Sequence, residues 1–289
     1  MRLVYLGTPE AAVPPLRALV AAGHEVMLVV SQPDRKRGRG AVLTASPVKA
    51  AAVELGLPVT AVVNDVFEAA FAGAELGVVV AFGKLIKPDL LSALPFVNLH
   101  FSLLPRWRGA APVERAILAG DTETGVCLMA LEAGLDTGPV YRRSVTPIDP
   151  DESVSALRNR LVASGTTMLI NALAEGLGEP QPQHGEPTHA AKLHPEEFII
   201  DWNRSAVELH RLVLLGSAWT TFRQKRVKIL SARAVQTMAG PPGSLDGLVV
   251  ATGQGGLELL EVQPEGKPPQ AAAAWRNGAR PTHDERMGP

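Results

Sequence analysis

The 289-residue chain is 46% hydrophobic and 20% charged, a balance that suits packed cores, excludes a disordered chain and, at this length, favours two domains. A formal net charge of −1 excludes binding to a polyanion by bulk charge, so any nucleic-acid signal has to be local. One cysteine, Cys127, excludes an internal disulfide and a thiolate cluster, and no apolar run is long enough for a membrane span; a cytoplasmic protein off the membrane is expected.

Residues 2–6 form a short apolar run ending in Gly7-Thr8-Pro9, a first strand and its turn. Residues 13–22 read as a helix whose two prolines sit in the tolerant first turn, and 25–30 as a second strand. Residues 46–55 predict a helix capped by Ser46 and closed by Gly56, followed by a strand over 57–63. Further strands are expected at 76–82 and 96–100, with a helical turn at 87–93 between them. Two more strands, 124–131 and 138–145, precede a long amphipathic helix over 153–173. Fully apolar strands alternating with helices imply an α/β fold, a mostly parallel Rossmann-like sheet covered on both faces.

Composition shifts at residues 176–189, which are rich in Gly, Pro and polar groups as a linker would be. Beyond it stand one helix, 205–215, and short strand candidates at 226–230, 247–251 and 257–262, a spacing that suggests a small β-barrel. The stretch from Asn277 to the end looks frayed. The expected domains are therefore 1–175, a linker over 176–195, and a C-terminal barrel over 196–289.

Alternation along 96–102 puts Asn98, His100 and Ser102 on one face, with Leu99 and Phe101 directed away. Ligands of parallel sheets bind beyond the carboxyl ends of the strands, where Asn98 and His100 fall. Asp136, in the glycine-flanked loop 132–138, supplies a carboxylate beside them. An amide donor, an imidazole and a carboxylate fit acyl or formyl transfer, in which an oxyanion develops and a proton moves.

Gly7-Thr8-Pro9 lacks the spacing of a dinucleotide-binding turn, and there is no Walker motif. His184, His189 and His194 recur every five residues without accompanying thiols or a carboxylate cluster, and no metal is expected. Cys127 lies in an apolar strand and reads as core filling. The run Arg35-Lys36-Arg37-Gly38-Arg39 is either a solvated loop or an arm that neutralises phosphates. Arg204, Arg211, Arg223, Lys225, Arg226, Lys228 and Arg233 add a second basic group in the barrel region, with only Glu208 among them.

The stretch Asn98–Val113, containing Ser-Leu-Leu-Pro and Trp-Arg-Gly-Ala-Ala-Pro, resembles the 10-formyltetrahydrofolate-dependent formyltransferases, together with Leu135-Asp-Thr-Gly138. The loop 32–40, followed by Ser46-Pro-Val-Lys49, and the segment 191–202 extend the resemblance along most of the chain, to about residue 263. It implies a formyltransferase domain joined to a small OB-like β-barrel, and formyl transfer from 10-formyltetrahydrofolate to the methionine amine of charged initiator tRNA. Asn98 and His100 would then donate to the formyl oxygen, with Asp136 orienting His100. Ser102, Leu103, Leu104 and Pro105 would contact the folate, while Arg35, Lys36, Arg37, Arg39 and Lys192 would contact tRNA. A monomer is expected. Two rivals remain at this level, a formyltransferase acting on a small amine and an inactive RNA-binding relative.

Overall fold

A computed structural model describes residues 1–37, 42–238 and 240–288. The chain divides into two compact units, one of Met1–Val113, Glu123–Pro147 and Leu157–Ala191, the other of Glu114–Thr122, Ile148–Ala156 and Lys192–Pro289.

The strands of the first unit begin with β1 (Arg2–Gly7), β2 (Glu25–Val30), β3 (Arg35–Arg37), β4 (Val42–Thr44), β5 (Val59–Thr60) and β6 (Leu76–Val80). They continue with β7 (Phe96–His100), β8 (Arg108–Gly109), β9 (Glu123–Ala130), β10 (Val140–Pro147) and β11 (His189–Ala190). Its helices are α1 (Val13–Ala21), α2 (Pro47–Glu54), α3 (Val66–Phe71) and α4 (Pro88–Ala93), while α5 (Pro112–Ala119) and α6 (Val154–Glu175) each have residues in both units.

Seven strands form one sheet in the order β10-β9-β7-β6-β1-β2-β5. The pairs from β5 to β7 are parallel, and β9 and β10 add antiparallel partners beyond β7. All five residues of β6 and of β7 are buried, as their apolar sequences require of strands covered on both faces. Most of edge strand β10 is half-exposed or exposed, which accommodates Arg142 and Arg143. Ser46 caps α2 through a 3.0 Å bond from the Lys49 amide. The strand expected over 57–63 is shorter: only Val59–Thr60 pairs with β2, and a 3-10 turn over Val63–Asp65 leads into α3. That six-residue helix has too few turns to impose a readable period.

The second unit carries α7 (Ala206–Leu214), β12 (Trp219–Phe222), β13 (Lys225–Val235), β14 (Leu245–Asp246), β15 (Val249–Ala251), β16 (Gly256–Pro264), β17 (Gln270–Ala271) and α8 (Ala272–Ala279). Its six strands form an antiparallel sheet in the order β12-β13-β16-β15-β14, with β17 on β16. Ser205 and Glu208 make a reciprocal capping box at the start of α7. The described part of the C-terminal stretch, residues 277–288, is tied down rather than frayed. Met287 is buried, its amide donates to Gly243 O at 2.7 Å, and Arg223 binds the Glu285 carboxylate with Nε–Oε1 at 2.5 Å. These partners lie more than forty residues upstream, beyond the reach of a local reading.

Candidate active site

Asn98 and His100 lie on β7 in the register that pairs Asn98 with Val79 of β6 and Met129 of β9, and His100 with Cys127. Both side chains are buried, as is Asp136. Together they line a cavity of about 530 Å³ at the carboxyl edge of β1, β6 and β7. Its other walls are mainly apolar, among them Val79, Phe82, Ile86 and Leu131. The three residues of the sequence reading therefore share one pocket.

Their bonding differs. The Nε2 atom of His100 is 2.8 Å from Trp107 O, and a carbonyl can only accept, so Nε2 carries the proton. His100 Nδ1 stands 3.6 Å from Asp136 Oδ2, an ion-pair separation too long for a hydrogen bond. The same carboxylate oxygen accepts the Gly109 amide at 2.8 Å. Nothing among the described residues hydrogen-bonds the Asn98 carboxamide. Asn98 thus offers an unspent N–H beside a ring and a carboxylate already held in place.

The backbone around this trio is unusual. Trp107 (φ 61°) and Asp136 (φ 53°) are both left-handed, conformations that persist in non-glycine residues only where neighbours enforce them. Gly109 (φ 116°) could not be replaced without cost, because a Cβ there would lie 2.9 Å from Ala190 O. The enforcing neighbours come from residues 181–190. Val140 and Gln181 exchange two 2.8 Å backbone bonds, and β8 pairs in parallel with β11. The Trp107 amide donates to Thr188 Oγ1 at 2.9 Å, and the Arg108 amide to Thr188 O at 2.9 Å. Gln183 bonds both the 136–138 loop and Arg108. A segment whose composition reads as a loose tether braces the backbone that carries the site. Its Gly, Pro and polar content gave no sign of this, since its bonds go to distant backbone.

Ser102 is buried and donates to Arg106 O at 2.6 Å, Leu104 is buried with Cys127, Met129 and Val140, and the Leu104–Pro105 peptide is cis. Ser102, Leu103, Leu104 and Pro105 are not among the residues lining this cavity, whereas Phe101 is. Phe101 was expected to point away; it follows the end of β7, where the chain bends and the two-residue alternation stops. Burial pushes the Cys127 thiol up, in keeping with core filling.

Arg35 and Lys36 are exposed on β3, which pairs with β4 as a hairpin. Arg37 ends that strand, and Arg39 lies outside the described residues. The hairpin is rooted by a buried Ser31–Ser46 hydroxyl pair at 2.5 Å and by Lys49 on both carboxylate oxygens of Asp34, at 2.9 and 2.8 Å. Lys192 is exposed in the second unit. There, Arg204, Arg223 and Arg233 are paired with Glu208, Glu285 and Glu258, while Arg226 stacks on Trp219 at 4.2 Å. Two of those three glutamates lie outside the run in which the basic group was counted. No group of three or more His, Cys, Asp or Glu suited to a metal ion occurs among the described residues. No described helix is long and apolar enough to cross a membrane.

Comparison with known proteins gives this geometry its context. Residues 1–173 match the formyl transferase family and residues 192–280 its C-terminal domain. The chain is 46% identical to the methionyl-tRNA formyltransferase of Roseobacter denitrificans, over 96% of each. Among solved structures, HypX from Aquifex aeolicus in complex with tetrahydrofolic acid superposes with a TM-score of 0.67 at 18% identity, covering 96% of this chain and 47% of that one. The N-formyltransferase from Helicobacter canadensis, crystallised with folinic acid and dTDP-3-aminofucose, gives 0.67 at 16% identity over 91% of this chain and 98% of that one. These two likenesses concern the fold, while the domain matches and the full-length relative go further: the chain belongs to the formyl transferase family and carries both of its domains.

Proposed function

We propose that the chain transfers a formyl group from 10-formyltetrahydrofolate, a co-substrate, to the α-amino group of methionine on initiator tRNA. The observation that carries this reading is the unbonded Asn98 carboxamide beside the held His100–Asp136 pair in one apolar-walled cavity. Apolar walls suit a flat heteroaromatic ring, and the few convergent polar groups suit a reacting carbonyl.

In this mechanism the amine attacks the formyl carbon and negative charge collects on the formyl oxygen. The Asn98 N–H donates to that oxygen, the position where such a donor has most effect. His100 Nε2 is engaged by Trp107 O, so Nδ1 is the ring position left to take the amine's proton, directly or through water. Asp136 Oδ2 faces that nitrogen and balances the charge formed there. Breaking the bond from the formyl carbon to folate N10 then completes transfer, with one proton returned to N10. Ser102–Pro105, in the turn that follows β7, contact the folate beyond the lining of this cavity.

The catalytic work belongs to residues 1–175. Arg35, Lys36 and Arg37 on the hairpin, together with Arg39, Lys192 and exposed cations of the C-terminal sheet, hold tRNA phosphates, and the protein acts as a monomer in the cytoplasm. The test is formyl transfer to charged initiator tRNA, with charged elongator methionine tRNA and a small amino sugar alongside. Transfer to the initiator alone is expected. Equal transfer to the amino sugar would overturn the choice of acceptor, and no transfer to any would overturn the reading.

A further inference from the structure

Gln183 spends its whole hydrogen-bonding capacity at the site. Its Nε2 donates to Asp136 O and to Gly138 O, both at 2.8 Å, and its Oε1 accepts from Arg108 Nε at 3.1 Å and from the terminal nitrogen NH2 at 2.6 Å. These partners belong to the two backbone segments that fix the His100–Asp136 pair. Segment 107–109 offers Trp107 O to His100 Nε2 and the Gly109 amide to Asp136 Oδ2. Segment 136–138 carries Asp136 itself, left-handed, and Gly138, where a Cβ would collide with Ala130 O. The Asp136 carboxylate adds a second tie between the two segments, through the Gly109 amide.

We propose that Gln183 is a positioning residue: it clasps loop 136–138 to segment 107–109 and so sets the separation of the Asp136 carboxylate from His100. The inference rests on the formyl-transfer reading for its kinetic consequence, but the clasp itself is testable without turnover. A primary amide is suited to the task, since two donors on one atom reach two carbonyls while the oxygen takes the forked guanidinium. Glutamate keeps the guanidinium partner and loses both donors. Leucine loses all four bonds.

The experiment compares wild type, Gln183→Glu and Gln183→Leu, each also in an Asp136→Asn background. Displacement of a reacting group by about 1 Å can cost about 10²-fold in rate, so Gln183→Glu is expected to lower kcat about 10- to 100-fold with KM for charged tRNA within about twofold. In the Asp136→Asn background the same substitution should change kcat less than about threefold, because the group it positions is already disabled. Amide exchange at Gly109 in the ligand-free protein should quicken about tenfold or more, and the ¹⁵N shifts of the His100 ring should move. If Gln183→Leu fails to fold, Gln183→Glu decides. Unchanged kcat, or an equal loss in both backgrounds, would overturn the proposal. So would undisturbed Gly109 exchange together with an unmoved His100 ring. Were wild type inert toward every acceptor, the formyl-transfer reading would fall, and the exchange and ring shifts would still decide the clasp.

Discussion

The end of β7 lines the cavity and the 181–190 segment braces the backbone beside it, yet only the first announces itself. Asn98 and His100 are polar residues in a run that is otherwise apolar and wholly buried, and the cost of burying such groups demands a reason. Residues 181–190 are polar in a polar stretch, where no such cost flags them. Their importance lies in what they bond: Thr188 takes the Trp107 amide, Gln183 spans Arg108 and Asp136, and Ala190 O accepts the Ala110 and Ala111 amides at 2.9 and 3.1 Å. A chemical outlier is visible in one dimension. A positioning contact is visible only in three.

That contrast is tested most severely at β7. Asn98→Ala removes an unspent donor of the cavity and is expected to lower kcat by about 10²–10³-fold, the usual cost of losing an oxyanion donor. Affinity for charged tRNA should stay within about twofold, read by filter binding beside steady-state kinetics. His100→Ala should fall at least as far in kcat. An equal loss of tRNA affinity in either variant would place the residue in binding, and the reading of β7 as the chemical edge would break.

A smaller effect is expected across the site at Thr188. Thr188→Val is nearly isosteric and deletes the acceptor of the Trp107 amide, leaving a half-buried N–H unsatisfied at a cost of about 1–3 kcal/mol. Trp107 O is the partner of His100 Nε2, so part of this cost reaches the ring. A drop in kcat of up to about tenfold is expected, with melting temperature lowered, as measured by kinetics and calorimetry on the same preparation. If kcat is untouched, the 181–190 segment supports the site without tuning it.

Legibility followed the range of the causes. Strands β2, β6, β7, β9 and β16 were readable because burial acts on each residue separately and leaves an apolar run. The hydrogen-bonded pair β8 and β11 was not, being two residues long on each side and 81 residues apart in sequence. Asp136 was readable through the glycine-rich loop around it, but not its left-handed backbone, which tertiary bonds impose. The basic character of the second unit was overread for the same reason. Arg223 and Arg233 are met by Glu285 and Glu258, which distance along the chain conceals.

The α7 cap offers the opposite case, a local motif whose energetics the sequence already contains. Ser205 accepts the Glu208 amide at 3.3 Å, and Glu208 returns to the Ser205 amide at 3.0 Å while pairing with Arg204 at 2.9 Å. The Arg204 hydrogen bond first, then those from Ser205, lower the Glu208 carboxyl from 4.5 to about 2. A carboxyl lowered on folding stabilises the native state above its unfolded value, and that contribution drains away as pH falls from about 4.5 toward 2. Because Glu208 is substantially exposed, solvent screening keeps the pair's share within about 1 kcal/mol. Urea unfolding can be followed by tryptophan fluorescence, since Trp202, Trp219 and Trp275 all lie in the second unit. Glu208→Gln should flatten the decline in stability between pH 4.5 and 2, and Ser205→Ala should lower stability at pH 7 by about 1 kcal/mol. Neither should alter kcat, because the cap touches no residue of the cavity. A change in kcat with the cap removed would mean that the second unit tunes the chemistry, a link that nothing in the local sequence of α7 encodes.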